Sequence, residues 1–266
     1  MPEGHVLHRA ARLQGKRFNK KVVSMRSPQG RFADSADHLD GLRLDTIEAK
    51  GKHLFYRFGT GDVLHVHLGL FGKFRMATPP FPEPSDACRV LMWTAEDELH
   101  LAGPTTCEIL DPDGMVDVLA RLGPDPIQKP ADGADQLAAR LSRRKIPIGR
   151  ALMDQGIISG IGNVYRSELL FMIGLDPFTP ANEVDRAKID ELWNLTVVEL
   201  KAGERLGRIV TVAEVDAGGT KRGKLPPGER LYAYKRGGDQ CRRCGDLVRS
   251  ADIDGRNVWW CPRCQP

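Results

Sequence analysis

MDQGIISGIGNVYRSELLF, residues 153–171, decides the architecture. An amphipathic run, PIGRALMDQG, leads into the turn Ile157-Ile158-Ser159-Gly160-Ile161-Gly162, and a second apolar run starts at Asn163. Helix, glycine-rich turn, helix is a shape that docks on DNA. Gly160 and Gly162 allow backbone N–H groups to approach phosphate oxygens closely, helped by the N-terminus of the following helix. Asn163 is placed to contact the same phosphates through its side chain. An ordinary corner between two helices is the competing reading, and the glycine content of ISGIGN disfavours it.

Moving outward from this stretch, ADQLAARLSR is amphipathic, and VDRAKIDELWNLTVVELKAGERLG reads as a long helix ending near Gly203 or Gly207. Upstream, Gly123-Pro124-Asp125-Pro126 marks a boundary that neither helix nor central strand survives. From Phe18 to about Leu110 the pattern is one of short alternating runs, LRLDTIEA, KHLFYRF, DVLHVHLGLFGKFRM, CRVLMWTA, ELHLAG and CEILDP, which predicts an all-β sandwich or barrel. The stretch from Thr78 to Pro84, rich in proline, reads as an exposed connection. Residues 4–15 predict a short helix, with His5 and His8 as solvated helix-face side chains. Residues 209–240 read as a loop, either a mobile segment closing on substrate or a linker.

Four of the six cysteines have the spacing of metal ligands, Cys241-x2-Cys244 and Cys261-x2-Cys264, with sixteen residues between the pairs. This suits a four-cysteine zinc hairpin, and four thiolates leave no open position, so one structural Zn2+ is expected and no organic cofactor. Cys88 and Cys107 are isolated and read as buried small residues. Arg256, near the hairpin tip, is either a phosphate or groove contact or a plain surface residue.

The chain has 266 residues, 41% hydrophobic and 28% charged, with a net charge of +4. That is the profile of a soluble globular protein. From Ala202 onward thirteen Lys and Arg stand against eight Asp and Glu, so this quarter holds more than the whole surplus. A polyanion partner and a solvated basic face both fit. No apolar run reaches the ~18 residues of a membrane helix, and His8, Arg9 and Arg12 interrupt any signal-peptide core. A cytoplasmic protein without a membrane partner is expected.

Two local features bear chemistry. Removal of the initiator Met would leave Pro2 as a free secondary amine, titrating near pH ~8 against ~10.4 for Lys, able to attack a sugar C1′ as a covalent nucleophile. Glu3 beside it is a candidate proton donor. Gly69-Leu70-Phe71-Gly72 makes a tight turn with two large apolar side chains at its tip. It either inserts between base steps or packs on a neighbouring loop. Lys52, between Gly51 and a strand, reads as a phosphate contact or as surface.

The ordered set MPEG, GKHLF, HLGLFGKF, MDQGIISGIGNVYRSELLF, YKRGGDQCRRCG and GRNVWWCPRCQ resembles the bacterial formamidopyrimidine-DNA glycosylase/endonuclease VIII family over nearly the whole chain. The resemblance implies an α+β multidomain protein: an N-terminal β-sandwich (1–127), a helix–two-turn–helix domain (128–208), and a loop with a C-terminal zinc finger (209–266), DNA lying in the cleft between. It implies Pro2 as Schiff-base nucleophile, Glu3 as general acid, Lys52 as the active-site lysine, and Asn163 and Arg256 as phosphate-gripping residues. Leu70 and Phe71 would fill the stack vacated by a flipped base. The implied partner is damaged double-stranded DNA, bound by a monomer in a bacterial cytoplasm, associated with the nucleoid. MPEG, a short 217–230 loop and Pro104-Thr105-Thr106-Cys107 in place of an Arg-Arg-Phe stretch resemble the endonuclease VIII branch, which favours oxidised pyrimidines. Gly69 in place of a Gln, and Val6 in place of a Glu, depart from it. Excision of 8-oxoguanine or formamidopyrimidine, a damage-binding paralogue without turnover, and a zinc-ribbon transcription factor are the alternatives.

Overall fold

The strand pattern arises from two antiparallel sheets that share one core, in a computed structural model describing residues 2–266. Met1, and with it the expected removal of the initiator, lies outside the described residues. The chain divides into two compact units, Met1–Arg121 and Leu122–Pro266.

In the first unit, α1 (Gly4–Phe18) precedes β1 (Lys21–Val22), β2 (Ser24–Arg26), α2 (Ala33–Leu39), β3 (Arg43–Lys50), β4 (His53–Phe58) and β5 (Val63–His67). Then come β6 (Lys73–Ala77), β7 (Cys88–Trp93), β8 (Glu98–Ala102), β9 (Thr106–Leu110) and α3 (Pro112–Ala120). One sheet has the order β1-β3-β4-β5-β9 and the other β2-β7-β8-β6. Alternate side chains face inward, so Leu54, Tyr56 and Phe58 of β4 join Val90, Met92, Leu99 and Leu101 of the second sheet in one cluster. Each such buried side chain stabilises the sandwich by about 1.5–3 kcal/mol. α1 packs on β3 and β4, burying Leu7, Ala11 and Phe18, and its Gln14 accepts a 2.5 Å hydrogen bond from the Tyr56 hydroxyl.

Sequence reasoning missed α2 and α3. The second carried a legible start signal: Asp111 caps the Gly114 N–H at 2.7 Å and Pro112 opens the helix, the pairing favoured at helix N-termini. α3 places Met115 over Phe55 and Val63 on the outer face of the five-stranded sheet.

The second unit holds α4 (Gly133–Leu141), α5 (Ile148–Ala151), α6 (Asn163–Ile173) and α7 (Arg186–Leu206), then the hairpin β10 (Arg249–Ile253) and β11 (Arg256–Trp260). α7 stops at Gly207, whose φ of 70° is open to glycine at no steric cost. α6 is the central helix: Tyr165, Leu169 and Leu170 face the helical core, and Phe171 faces the C-terminal module. No helix among the described residues is long and apolar enough to cross a membrane.

The segment after α7 is pinned to the helices. Leu225 is buried, and Arg222 donates to both Glu199 oxygens and to the Val210 carbonyl. Glu168, fully buried on α6, accepts from the N–H groups of Tyr232, Ala233 and Tyr234 at 2.7, 2.8 and 2.7 Å and from the Thr211 hydroxyl. Four donors satisfy one carboxylate, the condition for burying it. Glu168→Gln turns an amide N–H2 toward these donors, and each hydrogen bond to a charged group contributes about 1.5–3 kcal/mol. A loss of about 3 kcal/mol is expected in chemical denaturation followed through Trp259 and Trp260; an unchanged midpoint would remove Glu168 as the clamp.

Candidate active site and nucleic-acid interface

In the first unit, Pro2 and Glu3 stand at the head of α1, Glu3 buried and its carbonyl accepting the Val6 N–H at 2.8 Å. Pro2 borders a hollow of about 470 Å³ walled by Val6, Ala10 and Leu13 of α1 and by Leu68, Phe74 and Met76, with Arg9 and Lys73 as its cations. His5 departs from expectation. It is buried rather than solvated, and burial pushes its imidazole down to about 4. A helix lying on a sheet turns most of its first turn inward, which a short amphipathic pattern does not reveal.

Lys52 occupies the two-residue turn between β3 and β4, where Lys50 pairs with His53 and Gly51 has a φ of 57°. The same end of the sheet gathers the wedge. His53 pairs with His67, and His67 with Thr106, so the Gly69–Gly72 turn leaves β5 beside the Lys52 turn. Sequence motifs well separated in the chain thus meet at one end of the sheet. A Cβ on Gly69 would lie 1.8 Å from Thr105 Oγ1, and one on Gly72 would lie 2.3 Å from the Leu68 carbonyl oxygen. Glycine is required at both. Leu70 is 59% exposed and Phe71 85%, so the tip presents its apolar side chains outward rather than packing them on a neighbouring loop. Cys88 is buried and Cys107 half-buried, and burial drives the Cys107 thiol up to about 12.

In the second unit, Asn163 and Arg256 are joined through Arg166, a residue that sequence reasoning missed. Buried Arg166 donates to Asn163 Oδ1 and to the carbonyls of Gly149 (3.3 Å), Arg256 (3.3 Å) and Asn257 (2.8 Å). An Arg in an apolar helix with Asn three residues before it was the available signal. Asp254 and Gly255 form a two-residue hairpin turn with φ of 52° and 73°, the geometry of an Asp-Gly connection. Asp254 is ion-paired to Arg150 at 2.5 Å. The hairpin tip is therefore held from two sides, with Arg256 first after the turn. Around it lies a hollow of about 730 Å³ lined by Arg143, Arg144, Lys145, Arg150, Arg166 and Arg256, against Asp154 and Asp254. The run Arg143-Arg144-Lys145 was legible as a basic cluster and went unread. At the glycine-rich turn, the Gly160 N–H donates to Gln155 Oε1 at 2.9 Å, so this group already has an internal acceptor.

The four cysteine sulfurs lie within 4.8 Å of one another, with Cys241–Cys264 at 3.8 Å and Cys244–Cys261 at 3.4 Å. A tetrahedron of Zn–S bonds near 2.3 Å requires S···S separations of about 3.8 Å. The donor set fits one structural Zn2+. Cys241 and Cys261 share a core with Phe171, Val210, Tyr232 and Val248, which joins the metal site to α6. Arg243, between the ligands Cys241 and Cys244, lies over the rings of Phe171 and Tyr232 at 4.9 and 4.8 Å.

A β-sandwich led by Pro2-Glu3, a glycine-turn helical unit and a zinc hairpin define the class of zinc-finger DNA-repair glycosylases. Three family models match in order: the formamidopyrimidine-DNA glycosylase N-terminal domain over residues 1–107, its H2TH domain over 122–213, and the zinc finger found in FPG and IleRS over 238–266. "Endonuclease 8 1" of Mycobacterium tuberculosis is 46% identical over the full length of both chains. The "DNA-(apurinic or apyrimidinic site) lyase Nei2" of Mycolicibacterium smegmatis is 34% identical, covering 100% of this chain and 99% of the relative. Lactococcus lactis Fpg, solved in complex with DNA containing an abasic site, superposes with a TM-score of 0.82 at 24% identity over 99% of each chain, which establishes the fold. The chain belongs to the formamidopyrimidine-DNA glycosylase/endonuclease VIII family of DNA glycosylases with abasic-site lyase activity.

Proposed function

We propose that this protein is a monomeric base-excision enzyme that removes oxidised pyrimidines from double-stranded DNA and cuts the strand by β- and δ-elimination. The damaged nucleotide is flipped out, at least cost where pairing is already weak, and Leu70 and Phe71 enter the vacated stack. Pro2 nitrogen attacks C1′ while Glu3 protonates the ring oxygen, and the base departs. The iminium acidifies C2′, and loss of that proton expels the 3′-phosphate. Lys52 serves this active site. Asn163 and Arg256 hold phosphates, with the glycine-rich turn at Gly160 and Gly162 beside them. The observation that carries this reading is the meeting of the Lys52 turn with the exposed Leu70-Phe71 tip at one end of the sheet.

Base preference rests on the turn before β9. Pro104-Thr105 is short, with Thr105 against Gly69, so it offers no guanidinium or ring to a base opposite the lesion. Borohydride trapping on DNA carrying an abasic site, thymine glycol or 8-oxoguanine tests the whole reading, with the N-terminal mass measured on the same sample. A trapped adduct favouring thymine glycol supports it; preference for 8-oxoguanine overturns the pyrimidine assignment. Absence of any adduct from protein lacking Met1 overturns the nucleophile.

Arg256→Ala is expected to weaken DNA binding and to lower the slope of log K against log salt by about 1. An unchanged slope would take Arg256 out of the interface.

A further inference from the structure

One face of the five-stranded sheet carries a chain of polar groups that ends beside Lys52. Glu108 Oε1 lies 2.9 Å from His65 Nδ1, and His65 Nε2 lies 2.8 Å from His53 Nδ1. The His65 ring lies edge to edge with His53, centroids 5.1 Å apart, and nearly parallel to Phe55, centroids 5.0 Å apart. His67 lies 5.0 Å from His53, and its Nδ1 accepts the Gly69 N–H at 3.1 Å. His65 is buried, whereas the Glu108 side chain is 49% exposed on the edge strand β9. The chain therefore runs from solvent to the residue that follows Lys52.

Its polarity is set by the chemistry of the ends. A carboxylate only accepts, so Glu108 accepts a hydrogen bond from His65 Nδ1–H. In the neutral tautomer of His65, Nε2 then accepts from His53 Nδ1–H, which leaves His53 Nε2 as an acceptor. Burial, with His65, His67 and the Lys52 charge beside it, pushes His53 down to about 3, and burial with Lys52 and His65 lowers His67. Both imidazoles nearest Lys52 are thus uncharged at neutral pH. Phe55 places an apolar ring on the same face, and buried polar groups are costly unless bonded.

We propose that Glu108, His65 and His53 form a positioning chain for Lys52, which presents an acceptor at His53 Nε2 and so directs the lysine side chain during strand elimination. The inference rests on the reading of Lys52 as an active-site residue.

The test compares Glu108→Leu, Glu108→Gln, His53→Phe and Lys52→Ala on DNA with a preformed abasic site, under steady-state and single-turnover conditions. Glu108→Leu removes the acceptor at an exposed position and is expected to lower kcat for elimination about tenfold (about 1.4 kcal/mol) with KM unchanged. His53→Phe keeps an aromatic ring at this position without its nitrogens and is expected to lose the same amount. Glu108→Gln keeps a carbonyl acceptor for His65 Nδ1–H and should recover most of the loss, which a purely structural role for the carboxylate charge would not allow. Wild-type kcat in both Glu108→Leu and His53→Phe, with Lys52→Ala slow, overturns the chain while leaving Lys52 in place. Wild-type kcat in Lys52→Ala removes the underlying reading and the proposal with it.

Discussion

Pro2→Gly is expected to slow base release and strand cleavage together by at least ~100-fold, about 2.7 kcal/mol of barrier. The loss reflects the amine's electronic character. A secondary amine on C1′ gives an iminium that carries its positive charge whatever the pH, whereas a primary amine gives an imine that must be protonated before it acidifies C2′. Glycine leaves an amine at the same position, so the attack geometry of the first residues is retained while the electron sink is weakened. Single-turnover rates for excision and for cleavage of a preformed abasic site, measured in parallel, check this. Undiminished nicking would identify another nucleophile, with Lys52 the first candidate. In the wild type, the trapping rate should rise about tenfold per pH unit below the amine pKa and level off near pH ~8, because only the unprotonated amine attacks.

Loss of a zinc ligand is the second large effect. Apparent zinc binding of roughly 10–16 kcal/mol in small modules matches or exceeds the ~5–15 kcal/mol that stabilises a whole domain. Cys261→Ala is therefore expected to abolish zinc binding and unfold the hairpin. The consequences travel, because Cys261 belongs to the core cluster that contains Phe171 and Tyr232, and because the Arg256 and Asn257 carbonyls are acceptors for Arg166. Trp259 and Trp260 of β11 should become solvated, with a red-shifted emission, and affinity for DNA should collapse while the sandwich unit stays folded. Wild-type affinity in a zinc-free protein would show that the hairpin stands without its metal.

Much of this was legible one segment at a time. Alternation of period two located seven strands, the CxxC pairs announced a tetrahedral metal site, and Gly160 and Gly162 marked the turn before α6. Each of these signals comes from covalent spacing or backbone freedom within a few residues, and such signals survive in one dimension. The same locality hid α3, whose capping pair was clear but whose apolar face was short.

What the tertiary structure alone decided depends on partners far apart in the chain. Whether the strands closed as a barrel or stacked as a sandwich followed from β2 leaving β1 and pairing with β7. Asn163 and Arg256 are joined only because Arg166, buried in an apolar helix, bonds the Asn163 side chain and carbonyls up to 91 residues away. Glu168 reads as an ordinary helix glutamate until three N–H groups more than sixty residues later converge on it. Burial of such charges is stable only when partners in the fold offset the loss of water. No pattern within a segment specifies where those partners come from; the folded chain brings them together.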